Sequence, residues 1–223
     1  MTVSAVILAA GSGNRMQSGN NKMFLPMCGQ PLICHTMRAF SPISRIDEFL
    51  LVAHSSEMDA MEQLLQTLSL RIRFVEGGET RRDSALAGIR AAHGDVVLIH
   101  DGARPFPSHA LILNVLAKAE QARAAIPILP VTSLLHAFTP SGDLALLSTA
   151  DSPLAEAQTP QGFHRDLILR CLQQAPTDVR DDASAVLLVG ESVATVPGER
   201  VNIKVTHPDD LSLAEAIIAS HGL

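Results

Sequence analysis

Short apolar runs ending at glycine or at a charged residue recur along this chain, and their alternation with amphipathic stretches constrains its fold most strongly. Val3–Ala9 (VSAVILA) is continuous, too short for a helix, and runs into Gly11. Such a run marks a strand buried on both faces, as in parallel sheets. Pro31 suits the first turn of a helix; Glu48–Ala53 then reads as a strand, Ser56–Leu68 as a helix and Arg71–Val75 as a strand. The rhythm continues with a helix over Thr80–Ala92, a strand over Asp95–His100, a helix capped by Ser108 to about Arg123, and a strand over Ala125–Val131. Strands alternating with helices predict an α/β fold built on a Rossmann-like, doubly wound, mostly parallel sheet.

Thr132–Asp151 breaks the alternation. Pro140-Ser-Gly-Asp143 is a turn sequence between short apolar segments, and the stretch reads as a β-hairpin arm projecting from the sheet. Helices are expected at about His164–Gln174 and Asp181–Val189, strands near Ser192–Val196 and Asn202–Val205, and a closing helix from Asp209 or Asp210. With no linker or internal repeat, residues 1–223 are expected to form one domain carrying an arm at about 132–151.

Composition excludes several classes of function. The net charge is −6, from 17 basic and 23 acidic residues, and Trp and Tyr are absent. A nucleic-acid partner is not expected, because a polyanion-binding surface needs a basic excess and single strands need stacking rings. No apolar run approaches the roughly 20 residues that span a bilayer. The N-terminus has no export pattern, so the cytoplasm is the expected location and no membrane is expected as a partner. Cys28, Cys34 and Cys171 have no metal-ligand spacing, and the nine histidines include no HExxH. Zinc is not indicated.

The loop after the first strand carries the chemistry. Gly11 and Gly13 let backbone N–H groups approach an anion, at the strand end where open α/β sheets bind ligands. Met16 stands where GxGxxG needs its last glycine, so the dinucleotide fingerprint fails, and GxxxxGK[ST] is absent. Arg15 and Lys22 follow instead. Either alone reads as a solvated surface charge; behind two glycines at a strand end, the pair suits displacement at phosphorus. Asp101 closes an apolar strand. It is read either as a cap for the following segment or as a carboxylate that holds Mg²⁺ against a triphosphate. Gly77-Gly78 is either an ordinary turn or a close approach to a flat base. Lys204, inside Ile203-Lys-Val205, is either an edge-strand charge or a cation that meets anions.

These segments resemble the cytidylyltransferases that act on 2-C-methyl-D-erythritol 4-phosphate. LAAGSGNRM followed by NKMFLPMCGQPLICHT looks like that family's entry motif. Gly77-Gly-Glu-Thr-Arg81 with Asp83-Ser-Ala-Leu-Ala-Gly88 is similar to its GGxxRxxSVxxGL segment, and His100-Asp-Gly-Ala-Arg-Pro105 to HDAARP. Gln158-Thr-Pro-Gln-Gly-Phe163, Asp181-Asp-Ala-Ser184 and Asn202-Ile-Lys-Val-Thr206 resemble QTPQxF, TDDAS and NIKVT. The resemblance implies a nucleotide-diphospho-sugar transferase type of fold and transfer of CMP from CTP to a small polyol phosphate, with Mg²⁺ as cofactor. It implies Arg15, Lys22 and Lys204 as catalytic cations. Ala9, Ala10, Gly11, Ser12, Gly13, Gly77, Gly78, Ser84 and Gly102 would bind nucleotide. Asp101, Arg104 and Thr159 would bind the acceptor, with Asp101 also a metal ligand; Arg180 joins these acceptor candidates from outside the family pattern. It implies a homodimer through the arm, whose Leu134, Leu135, Phe138, Leu144, Leu146 and Leu147 suit a buried contact.

The acceptor pocket departs from the family pattern. Leu134 stands where the family has a threonine, His136 where a lysine is common, Asp151 in place of an arginine, and Arg180 in place of the threonine before DDAS. Leu cannot donate a hydrogen bond and Asp repels an anion. Arg180 is read either as a new partner for the acceptor phosphate or as a partner for Asp151. A related acceptor such as ribitol 5-phosphate, or a nucleotide-binding homologue without catalysis, stand as the alternatives.

Overall fold

The computed structural model describes residues 1–11, 21–68, 70–146 and 153–221. The chain begins with β1 (Val3–Leu8), a small ribbon of β2 (Pro26–Met27) and β3 (Gln30–Pro31), α1 (Leu32–Phe40), β4 (Glu48–Ala53) and α2 (Met58–Leu65). Next come β5 (Ile72–Glu76), α3 (Arg81–Ala91), β6 (Val96–Asp101), α4 (His109–Ala122) and β7 (Ala124–Pro130). The hairpin β8 (His136–Phe138) and β9 (Leu144–Leu146) precedes β10 (Ala155–Ala157), β11 (Gln161–His164) and α5 (Arg165–Gln174). Helix α6 (Asp182–Leu188), β12 (Ala194–Pro197) and α7 (Pro208–His221) complete the order.

The main sheet runs β10-β7-β11-β6-β1-β4-β5, and β12 also pairs with β7. β1 lies parallel to β4 and β6, and β4 parallel to β5. Side chains alternate across a strand, and the core divides accordingly. Val3, Ala5 and Ile7 of β1 join α1 and α4 through Leu32, Met37, Phe40, Ile112 and Val115. Val6, with Val52 and Ile99, packs on the other face against Ile89 of α3, Ile168 of α5 and Val186 of α6. Helices on both faces make the sheet doubly wound. Gly88 permits the close approach of α3, since a Cβ there would stand 2.4 Å from Val6 Cγ1.

Three sequence expectations change. Asn202–Val205 forms no strand; it is held by separate bonds, Val205 N–H to Ala103 O at 2.9 Å and Asn202 Nδ2 to Thr159 O at 2.9 Å. β10 and β11 were not expected, and β11 inserts antiparallel between β6 and β7. The single helix expected over Ser56–Leu68 is α2 flanked by 3-10 turns at Ser55–Glu57 and Gln66–Leu68. Among the described residues, no helix is long and apolar enough to cross a membrane.

Candidate active site

Strand order reverses at β1, which sends β4 and β5 to one side and β6 to the other. In open α/β sheets the crevice at such a switch point, at the carboxyl ends of the strands, is where ligands bind. Here Leu8 and Asp101 are register partners at the ends of β1 and β6, and Gly77 N–H extends the β4–β5 pairing to Ala53 O at 2.8 Å. A cleft of about 560 Å³ opens over these ends.

Of the residues singled out in the sequence, Ala9, Ala10 and Gly11 form one wall of this cleft, and Gly78 and Ser84 another. Lys22, Asp101 and Lys204 also face it. Lys22 is set by Asn21, a buried cap. Asn21 Nδ2 donates to Ala9 O at 3.0 Å and Glu57 Oε2 at 2.7 Å, and its Oδ1 accepts from Met23 N–H at 3.1 Å. That clasp joins the chain leaving β1 to the turn carrying Lys22, whose Nζ donates to Val205 O at 2.9 Å. Ser12, Gly13, Arg15, Leu147 and Asp151 lie outside the described residues.

Asp101 is the electrostatic centre. Lys204 Nζ lies 2.6 Å from Oδ2, and Arg81 Nε lies 3.3 Å from Oδ1. Burial alone would raise this carboxyl, but Arg81 and Lys204 outweigh it and hold the group well below the usual carboxylate range. Arg81 also meets Asp182 at 2.8 Å; burial opposes its charge, yet the two carboxylates raise its pKa above the ordinary value. Burial raises Asp182, against the pull of Arg81. The Asp101 carboxylate, which shares the cleft with the exposed Glu79, fits a magnesium site in which phosphate oxygens and water supply most of the ligands. Among the described residues, no group of three His, Cys, Asp or Glu side chains forms a metal cage. The donor set therefore suits a metal that arrives with a polyphosphate.

The remaining expected site residues sit behind or away from the cleft. Gly77 lets the β5–α3 turn approach β1, since a Cβ there would lie 2.5 Å from that of Ala10. Gly102 donates its N–H to Leu8 O at 2.9 Å, and its carbonyl accepts from Thr36 Oγ1 at 2.7 Å, so both backbone groups are taken by the fold. Arg104 turns to Asn202 O at 2.8 Å and Ala157 O at 3.4 Å. Arg180 is exposed and makes no hydrogen bond or ion pair among the described residues.

Thr159 lies beneath the site rather than in it. His100 Nε2–H donates to Arg104 O at 2.8 Å, which leaves Nδ1 to accept from the Thr159 hydroxyl at 2.9 Å. Thr159 Oγ1 in turn accepts the Asp101 N–H at 3.1 Å. Burial pushes His100 down to about 4, so the native ring is neutral. In the unfolded chain it takes up a proton below about pH 6.5. Stability attributable to His100 is thus full above that pH and is lost as pH falls toward 4. The loss between pH 7 and 5 is expected to be about 2 kcal/mol. Urea unfolding at both values should show it, and His100→Gln should lack it; equal slopes in the two proteins would contradict the assignment.

Sequence reasoning missed Arg81, Asp182, His54 and Thr206 as contributors. Arg81, His54 and Thr206 line the cleft, and Asp182 anchors Arg81 from behind. Arg81, Asp182 and Thr206 lie inside motifs already singled out, so their positions were the available signal; His54 had none.

The chain matches the 2-C-methyl-D-erythritol 4-phosphate cytidylyltransferase (IspD) family over residues 3–220. It is 37% identical to the protein of that name from Halalkalibacterium halodurans, over 98% of each chain. The crystal structure of the Thermus thermophilus protein of that name superposes with a TM-score of 0.79 at 34% identity, over 98% of this chain and 100% of that one. The 4-diphosphocytidyl-2C-methyl-D-erythritol synthase structure from Anaerococcus prevotii gives 0.85 at 29%, over 98% and 96%. With its fold, its cleft and its near full-length similarity in agreement, this chain belongs to the 2-C-methyl-D-erythritol 4-phosphate cytidylyltransferase family.

Proposed function

We propose that this protein transfers CMP from CTP to 2-C-methyl-D-erythritol 4-phosphate and releases diphosphate, a step in non-mevalonate isoprenoid precursor synthesis. The observation that carries the reading is the carboxylate of Asp101 set among Lys204, Arg81 and Lys22 where β1 and β6 end. The acceptor is a phosphate monoester with a second pKa of about 6, so it is a dianion at neutral pH and needs no general base. Its oxygen attacks the α-phosphorus in line, and diphosphate leaves. Catalysis then consists of alignment and charge stabilisation. Lys22, Lys204 and Arg15 would neutralise the transferring and leaving phosphates, while the Ala9–Gly11 and Gly78–Ser84 walls hold the nucleoside. Asp101 would ligate Mg²⁺, which when bound supplies further charge neutralisation of the phosphate oxygens. CTP is a cytoplasmic nucleotide, and the reaction is accordingly assigned to the cytoplasm. The whole chain would act as one domain.

Diphosphate release with CTP and Mg²⁺, measured across a panel of polyol phosphates, tests this reading. 2-C-methyl-D-erythritol 4-phosphate is expected to give the highest kcat/KM. Preference for ribitol 5-phosphate would reassign the acceptor and make the departures at Leu134, His136, Asp151 and Arg180 its cause. CTP binding without turnover of any acceptor would point to a regulator.

The arm would pair two copies of the chain. Leu134 is 86% exposed, Phe138 78% and Leu144 65%, so the β8–β9 hairpin does not bury these side chains on its own protomer. A lone two-stranded hairpin is marginal in water, and clustered exposed apolar side chains mark an interface. Light scattering should give a dimer that Leu134→Asp/Phe138→Asp converts to monomer. A monomeric unsubstituted protein would rule this out.

A further inference from the structure

Arg81 begins α3 and presents two nitrogens of its guanidinium to two carboxylates, Nη2 to Asp182 Oδ2 at 2.8 Å and Nε to Asp101 Oδ1 at 3.3 Å. Asp182 holds it there. That side chain is fully buried in the first turn of α6, and its Oδ1 has no hydrogen-bond partner among the described residues. Moving the guanidinium away would leave a buried carboxylate uncompensated, a costly state. Lys204 differs. Its side chain is 34% exposed and meets Asp101 Oδ2 at 2.6 Å, through a flexible stem that can re-aim a point charge. One oxygen of Asp101 is therefore held by an anchored cation and the other by an exchangeable one.

We propose that Arg81 is a positioning residue: braced on Asp182, it fixes the Asp101 carboxylate in the orientation used for metal-bound triphosphate, while Lys204 is the cation that shifts from Asp101 to the phosphates. The proposal rests on the CTP reading above. It assigns the two ion pairs of Asp101 different fates. The Arg81 pair persists through binding, and the Lys204 pair is replaced. A lysine at position 81 keeps a charge beside Asp182 but cannot span both carboxylates, because it lacks the planar fork.

Two variants test it by calorimetric titration with CTP, in Mg²⁺ and separately in EDTA, alongside thermal melting. Arg81→Met/Asp182→Asn removes the buried pair together, so no unpaired buried charge remains. Arg81→Lys retains the charge and serves where the double variant melts early. Each is expected to bind CTP in Mg²⁺ about 10-fold or more weakly, the scale seen when the support of a metal ligand is removed. CTP affinity in EDTA should be unchanged. Binding equal to the unsubstituted protein in both variants would show a merely structural ion pair and overturn the proposal. Equal weakening with and without Mg²⁺ would overturn it too, since Arg81 would then act on the nucleotide directly. Failure of the unsubstituted protein to bind CTP would sink the nucleotide reading itself, an outcome distinct from either.

Discussion

Replacing Lys22 with alanine is expected to lower kcat about 100- to 1000-fold, or about 3 kcal/mol of transition-state stabilisation, as for loss of one preorganised donor to a developing oxyanion. The Asn21 side chain ties Ala9 to the turn that carries Lys22. The ammonium is thereby delivered to the mouth of the cleft by buried hydrogen bonds. Its Nζ bond to the Val205 carbonyl is charge-assisted and part-buried, so the alanine variant should lose about 2 kcal/mol of stability and stay folded. The fall in rate is therefore that of a folded protein. Steady-state kinetics with urea unfolding on the same preparation checks both; near-normal turnover would refute the role of Lys22.

Asp101→Asn is expected to move both quantities. Asparagine keeps the shape but loses the charge that Arg81 and Lys204 share. It also removes the carboxylate proposed to ligate the metal. Turnover should fall about 1000-fold, since metal neutralisation of phosphate is worth several kcal/mol. Stability should fall by about 2 kcal/mol, the scale of a lost charge-assisted bond. A variant that kept its activity would show that the carboxylate only satisfies its neighbouring cations, which is how a purely structural ion network would behave.

The central strands were legible because burial on both faces leaves an unbroken apolar run. Val3–Leu8, Glu48–Ala53 and Val96–Asp101 show this, each bounded by glycine or by a charge. β11 was not. Its residues Gln161-Gly-Phe-His164 mix polar and apolar types because Gln161 serves α6, through Asp181 Oδ2 and Ala183 N–H, while Gly162 admits α4, since a Cβ there would stand 2.9 Å from that of Ala119. Asn202–Val205 misled in the opposite sense. Its buried positions are Asn202 and Val205, and their bonds to Thr159 O and Ala103 O are separate contacts rather than a ladder with a neighbouring strand.

The same contrast holds at the cleft. Lys22, Asp101 and Lys204 stand out in the sequence because a charge beside an apolar strand or a glycine turn needs a reason to be there. Arg81 does not, since a charge after a helix cap reads as solvent-facing and its anchor Asp182 lies 101 residues away. Thr159 and Gly102 fall within recognisable motifs. Which way their polar groups point depends on partners from other elements, His100 and Thr36. Motifs thus located the cleft, whereas only tertiary contacts separate the groups that face it from those that support them.

Diffraction from crystals grown with CTP and Mg²⁺ tests the central claim most directly. The account predicts a triphosphate in the cleft over the ends of β1 and β6, its oxygens within ion-pair distance of Lys22 and Lys204, and the metal on Asp101. A nucleotide bound elsewhere, with Lys22 and Asp101 turned away from its phosphates, would contradict it.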